Sequence, residues 1–192
     1  MSITTLGPQD VECTVLTFRE GLLSPVGHDL KLRVEKLRVE IAEARARVEA
    51  FLDARSIVVV CAMHGDQEKP DALSASDRRD IEARLHKEIL EVSRYPEIRF
   101  RSSSIEHRDL ETVVRGDLTI RGITRSISLS FRPIDGASPS PSRDRTSCAE
   151  VAIRQTDLGL KPYRAMLGTL RVRDDVTVRV LARPAALAPA AG

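Results

Sequence analysis

Leu30, Leu32 and Val34 alternate with Lys31, Arg33 and Glu35. That period of two fits an extended strand with one wet face and one dry face. The apolar phase then slips by one residue, to Leu37, Val39 and Ile41. A one-residue slip moves an entire apolar set to the opposite face, so a β-bulge is expected at Glu35–Lys36. The strong bend of a bulge suits a sheet that curls on itself. Alternation returns through Ala46, Val48, Ala50 and Leu52.

The rest of the chain supports the same architecture. Residues 11–18, VECTVLTF, are rich in β-branched residues and read as the first strand. Residues 56–62, SIVVVCA, are continuously apolar, as in a strand covered on both faces, one of them by a helix. Ile98 and Phe100 open another strand, and 148–154 and 176–182 supply the last two. Residues 113–121 and 126–131 form a hairpin around a turn at Gly122–Thr124. Residues 167–172 fit neither pattern. One helix interrupts the series, over 76–94. Ser76 is its expected N-cap, Asp77 and Asp80 lie in its first turn, and Ile81, Leu85, Ile89 and Val92 form its apolar stripe. Pro96 follows its end.

Gly21–Gly27 reads as a loop, 133–147 as a mobile Pro/Ser-rich loop, and 184–192 as a disordered low-complexity tail. There is no βαβ alternation. The expected fold is mainly β: an extended antiparallel barrel of about eight strands with one inserted amphipathic helix, spanning 1–183. A barrel of that size is filled by side chains or holds one small ligand.

Composition narrows the function. The net charge is +2 with 30% charged residues, which gives no electrostatic argument for nucleic acid or an anionic membrane. Aromatics are 3% and Trp is absent, which disfavours base-stacking platforms. Cys13, Cys61 and Cys148 lack metal-ligand spacing and read as small buried hydrophobes. His64, His86 and His107 are scattered, so neither a metal nor another cofactor is expected. The N-terminus shows no secretory pattern and no run is long enough to span a membrane, so a cytoplasmic location is expected.

Alternation points Leu30, Leu32, Ile98, Phe100, Leu118, Ile120, Ile127, Leu129, Phe131, Val151 and Ile153 inward. These side chains either line a tunnel or fill a solid core. Small residues near the apolar faces, Ala44, Ala46, Ala50 and Ser102, leave room. His28, Asp29 and Asp157 sit at expected strand ends and form a polar rim. His28 beside Asp29 has the makings of a general base, or both simply bind loop backbone. Asp157 either binds turn amides, with Gly159 at positive φ, or contacts a ligand. Lys161 and Arg164 bring positive charge near Tyr163, suited to a polar ligand head.

The segments FREGLLSPVGHDL, YPEIRFRSSSIE, VVRGDLTIRGITRSISLSF and IRQTDLGL, before the closing strand TVRVLA, occur in an order that resembles the YceI-like lipid- or polyisoprenoid-binding family. The resemblance covers roughly residues 10–182. It implies a lipocalin-like barrel whose apolar tunnel holds an isoprenoid, a quinone-like molecule or a fatty chain, with no catalytic residues and no metal. Many members are exported. Many also carry a basic residue two positions before an Asp-aromatic-Gly stretch; here Gln155 takes that position and Leu158 replaces the aromatic. Non-catalytic binding of an apolar chain, as carrier or sensor, is the leading functional expectation. The alternatives are a filled barrel serving as an interaction module, with a homodimer possible, and a hydrolase-like enzyme working from His28, Asp29 and Asp157.

Overall fold

The computed structural model of the chain is described over residues 3–21, 27–42, 47–134, 146–165 and 170–183. Most of the expected loops at 21–27 and 133–147, Ala44 and Ala46, part of the 167–172 segment, and the tail at 184–192 lie outside those residues. The strands are β1 (Ile3–Leu6), β2 (Val11–Thr17), β3 (Arg19–Glu20), β4 (Asp29–Val34), β5 (Leu37–Ala42), β6 (Arg47–Asp53), β7 (Ile57–His64) and β8 (Gln67–Lys69). After the helix α1 (Ala75–Arg84) come β9 (Glu97–Arg108), β10 (Glu111–Ile120), β11 (Ile123–Pro133), β12 (Ser147–Arg154), β13 (Arg164–Ala165), β14 (Leu170–Val172) and β15 (Asp175–Ala182).

Twelve strands form one strongly curled antiparallel sheet, in the order β1-β5-β6-β9-β10-β11-β12-β15-β2-β4-β7-β8. Three short ones, β13-β14-β3, form a second sheet. The strand count exceeds the expected eight partly because the long apolar runs are cut at corners.

The phase slip at Glu35–Lys36 is one such corner, and not the expected bulge. β4 lies between β2 and β7, whereas β5 lies between β1 and β6. The chain from 29 to 42 pairs with the chain from 47 to 64 as one long bent ribbon, with Val34 opposite Ile57 and Leu37 opposite Leu52. Beyond the bend its two halves join opposite ends of the sheet. The slip keeps both halves facing the same core after the turn, as at the corners of orthogonally packed sheets.

Ser56 stitches this corner. Its Oγ accepts from the Lys36 amide at 2.9 Å and donates to the Asp53 carbonyl at 2.7 Å, and the residue is buried. Ser56→Ala strands the Lys36 amide, so a loss of about 1–3 kcal/mol is expected in urea unfolding.

The bulges lie elsewhere. In β7, Cys61 faces Lys31 and Val59 faces Leu32, leaving Val60 as the extra residue. That explains the unbroken apolar run: Val59 and Ala62 both turn to the core, beside Leu32 and Leu30. In β9 the register against β10 shifts between Arg115 and Gly116, with Ser103 as the extra residue.

The helix begins one residue earlier than expected and is capped by Ser74 in place of Ser76. Ser74 Oγ accepts from the Asp77 amide at 3.1 Å, and the Asp77 carboxylate accepts from the Ser74 amide at 3.0 Å. This capping box satisfies two donors reciprocally. A π-helical turn at Leu85–Ile89 follows α1. Glu91, at φ 48°, ends the helical run before residue 94. The β10–β11 hairpin is as expected, but its turn is Arg121–Gly122, with both residues at positive φ.

On the outer face, Arg38 and Arg99 lie over the Phe51 ring at 4.6 and 4.9 Å. Next to it, Arg99 donates to Glu49 at 2.8 Å, with Arg47 and Arg101 also paired to it. The Arg99 hydrogen bond, aided by the charges of Arg47, Arg99 and Arg101, holds the Glu49 carboxyl below its ordinary value of 4.5. A depressed folded value means that this stabilisation is present above pH 4.5 and is lost as pH falls through the folded value. The stability gap between wild type and Glu49→Gln is therefore expected to narrow across that acid range, as read from urea midpoints against pH.

Candidate functional site

The alternation along β4, β9, β10, β11 and β12 converges on one apolar core. Leu32, Ile98, Phe100, Leu118, Leu129 and Ile153 are buried there. Leu30, Ile120, Ile127, Phe131 and Val151 are half-buried and pack against the same cluster. Directly opposed pairs build it, among them Phe100 with Leu118 and Val114 with Leu129.

Gly116 belongs to this face, between Val114 and Leu118 in β10. A Cβ there would lie 2.4 Å from the Arg101 carbonyl oxygen and 2.6 Å from Phe100 Cζ. The missing side chain is what lets the Phe100 ring lie across β10. The sequence signal was a glycine inside a strand pattern, a mark of close backbone approach. Leu158 and Leu160, in and after the turn that follows β12, are also buried core residues outside the alternating set.

Two hollows open beside this core, and none of the eleven inward residues lines either. One, of about 500 Å³, is flanked by Ala83, His86, Lys87 and Val92 at the helix. The other, of about 460 Å³, lies between Lys36, Arg38, Phe51 and Arg55.

Of the three rim residues, Asp29 is held locally. Asp29 Oδ1 accepts from the Arg19 amide at 2.7 Å and sits 4.0 Å from Arg19 Nε. His28 is exposed. Gly159 takes φ 68°, as the turn required, but Asp174 rather than Asp157 holds the turn: it accepts from the Thr156 amide at 2.8 Å and from its hydroxyl at 2.5 Å. Asp157 is exposed, and among the described residues no hydrogen bond or ion pair joins it to His28 or Asp29. The Tyr163 hydroxyl is engaged by Arg84 from the helix, while Lys161 and Arg164 are exposed. His86 bonds the Ile57 carbonyl at 2.8 Å and His107 bonds Thr112 at 3.0 Å. Burial, with Glu12 nearby, pushes the Cys13 thiol up to about 12, and burial also raises Cys61 and Cys148.

A strongly curled twelve-stranded antiparallel sheet, wrapped on one apolar core and flanked by one helix, forms a half-barrel of the lipocalin-like kind. Residues 22–183 match the model of the YceI-like domain, and the chain belongs to that family. BcnA of Burkholderia cenocepacia shares the fold at 14% identity, with a TM-score of 0.57 over 89% of this chain and 94% of that one. The Campylobacter jejuni YCEI protein is 12% identical, with a TM-score of 0.48 over 95% of this chain and 84% of that one. No curated protein matches the chain. Among the described residues no helix is long and apolar enough to cross a membrane.

Proposed function

We propose that the protein binds an apolar chain molecule – an isoprenoid, a quinone-like molecule or a fatty lipid – within the barrel, as a non-catalytic carrier or sensor. The observation that carries this reading is the length of the three central strands whose inner faces contribute to the apolar core. β9, β10 and β11 are adjacent and run for 12, 10 and 11 residues. At about 3.4 Å per residue they extend roughly 34–40 Å. Ordinary strands of five or six residues suffice to close a core, and these longer strands are long enough to lie along an extended hydrocarbon. Membership of the YceI-like family supports the same reading. The non-catalytic part is supported by thiols raised by burial and by Asp29 being engaged with Arg19.

The packing of the eleven inward residues into one cluster, with none of them lining either hollow, favours a second reading. In that reading the barrel is filled and serves as an interaction module. Native mass spectrometry of the purified protein, followed by solvent extraction and lipid analysis, separates the two. A retained chain lipid, or uptake of added cis-parinaric acid, is expected. A chain that is empty as purified and takes up neither cis-parinaric acid nor geranylgeraniol overturns the binding reading.

A further inference from the structure

β7 has an uneven pair of edges. Along one edge it pairs with β4 from Ile57 to Met63; along the other it meets β8 only from Ala62 to His64. Residues 57–61 therefore have no strand partner on that second side among the described residues, and such an edge needs covering. The helix supplies the cover with side chains. Glu82 Oε1 accepts from the Val59 amide at 2.8 Å, and His86 Nε2 bonds the Ile57 carbonyl at 2.8 Å. The two residues stand four apart, so one helical face presents an acceptor and a donor to the strand.

The helix is otherwise lightly held to the core. No residue of α1 or of the π turn is fully buried before Leu90. Ile81, Leu85, Ile89 and Val92 pack against the core half-buried, and Leu90, at the C-terminal end, is buried in it. The C-terminal end is fixed more firmly: Arg121, from the β10–β11 turn, donates to the Ile89 carbonyl at 3.1 Å and pairs with Glu91. The 500 Å³ hollow touches the seam at His86 and runs along Ala83, Lys87 and the segment Glu91–Arg94.

We propose that this helix is a lid. An apolar chain reaches the core through the seam at β7 when Glu82 and His86 release Val59 and Ile57, while Arg121 keeps the far end in place as the hinge. Swinging the helix about that hinge uncovers Ile81 and Leu85 together with the core residues beneath them, an apolar path inward at the seam. This rests on the binding reading above.

The test follows cis-parinaric acid uptake by stopped-flow fluorescence and the Val59 amide by hydrogen exchange. Removing both latches in Glu82→Ala/His86→Ala is expected to speed uptake and release alike by about tenfold, the worth of a hydrogen bond to a charged group. The Kd is expected to move far less. Glu82→Gln keeps an acceptor for Val59 and is expected to behave as wild type. Arg84 lies 5.6 Å over the Tyr163 ring. Arg84→Cys/Tyr163→Cys, joined by a cleavable bis-maleimide in a Cys148→Ser background, is expected to slow uptake until the linker is cut. Uptake indifferent to both the double variant and the cross-link overturns the lid. So does a Val59 amide that exchanges only at the rate of global unfolding. If wild type takes up no probe, the binding reading fails and the lid falls with it, whereas uptake by wild type that both the double variant and the cross-link leave unchanged overturns the lid alone.

Discussion

Leu158→Ala is expected to cost about 3–4 kcal/mol, near the middle of the range for a leucine truncated in a tight core. Leu158 is only 1% exposed, one of the most deeply buried large side chains among the described residues. It sits in a short 3-10 turn (Gln155–Leu158), and the turn cannot collapse onto a void. Gln155 ties its start to the Asp174 carbonyl at 2.9 Å, and Gly159 at its end, at φ 68°, leaves no room for even a Cβ beside Ile123. The cavity left by truncation therefore stays open. Leu158→Met, close in volume, is expected to cost less than about 1.5 kcal/mol. Leu158→Phe is expected to cost about 1–3 kcal/mol because the larger ring must be forced in where the leucine is already almost fully buried. Urea unfolding of the three variants checks the order Ala, then Phe, then Met. A phenylalanine variant more stable than wild type would show that this turn relaxes.

Gly116→Ala is expected to cost about 2–3 kcal/mol, a fall of roughly 5–10 °C in Tm for a chain of this length. The reason is overpacking against groups of unequal give. Phe100 Cζ, 2.6 Å from the new Cβ, belongs to a ring that can tilt. The Arg101 carbonyl oxygen at 2.4 Å and Ser102 Cα at 2.7 Å are backbone, fixed by the pairing of β9 with β10. Phe100→Leu in the Gly116→Ala background should therefore restore only part of the loss. A Gly116→Ala variant with wild-type Tm would show that the ladder at the β9 bulge shifts freely. The same variant also tests the binding reading, because a methyl at the centre of the inward face narrows any path along β10 and is expected to weaken cis-parinaric acid binding.

Much of the interior was legible because burial imposes a period of two on every half-wet strand. Leu118 and Ile120, or Leu129 and Phe131, declare their face from two or three neighbours alone, and the structure gathers all eleven such residues in one core. The rim was less legible. Asp157 was the acidic residue nearest the turn, but Asp174 from the far side of it takes the Thr156 amide. Asp29 holds Arg19, ten residues back, across a loop. Such bonds depend on which loop ends meet, and a linear pattern carries no record of that. The helix was found by its stripe, while its cap went to Ser74 because only Ser74 stands three residues from Asp77.

The phase slip at Glu35–Lys36 divides what each level decided. By itself the sequence determined that Leu32 and Val34 on one side of the slip, and Leu37 and Val39 on the other, would be strands with opposite parity. Side-chain period is a local property of the backbone and needs no partner. Whether that change of parity was a bulge within one strand or a corner between two was decided only when Val34 met Ile57, Leu37 met Leu52 and Ser56 bonded the Lys36 amide. A bulge and a corner reverse the facing of the chain alike. They differ only in the neighbours to which hydrogen bonds are made, and those neighbours are chosen by the curling of the whole sheet.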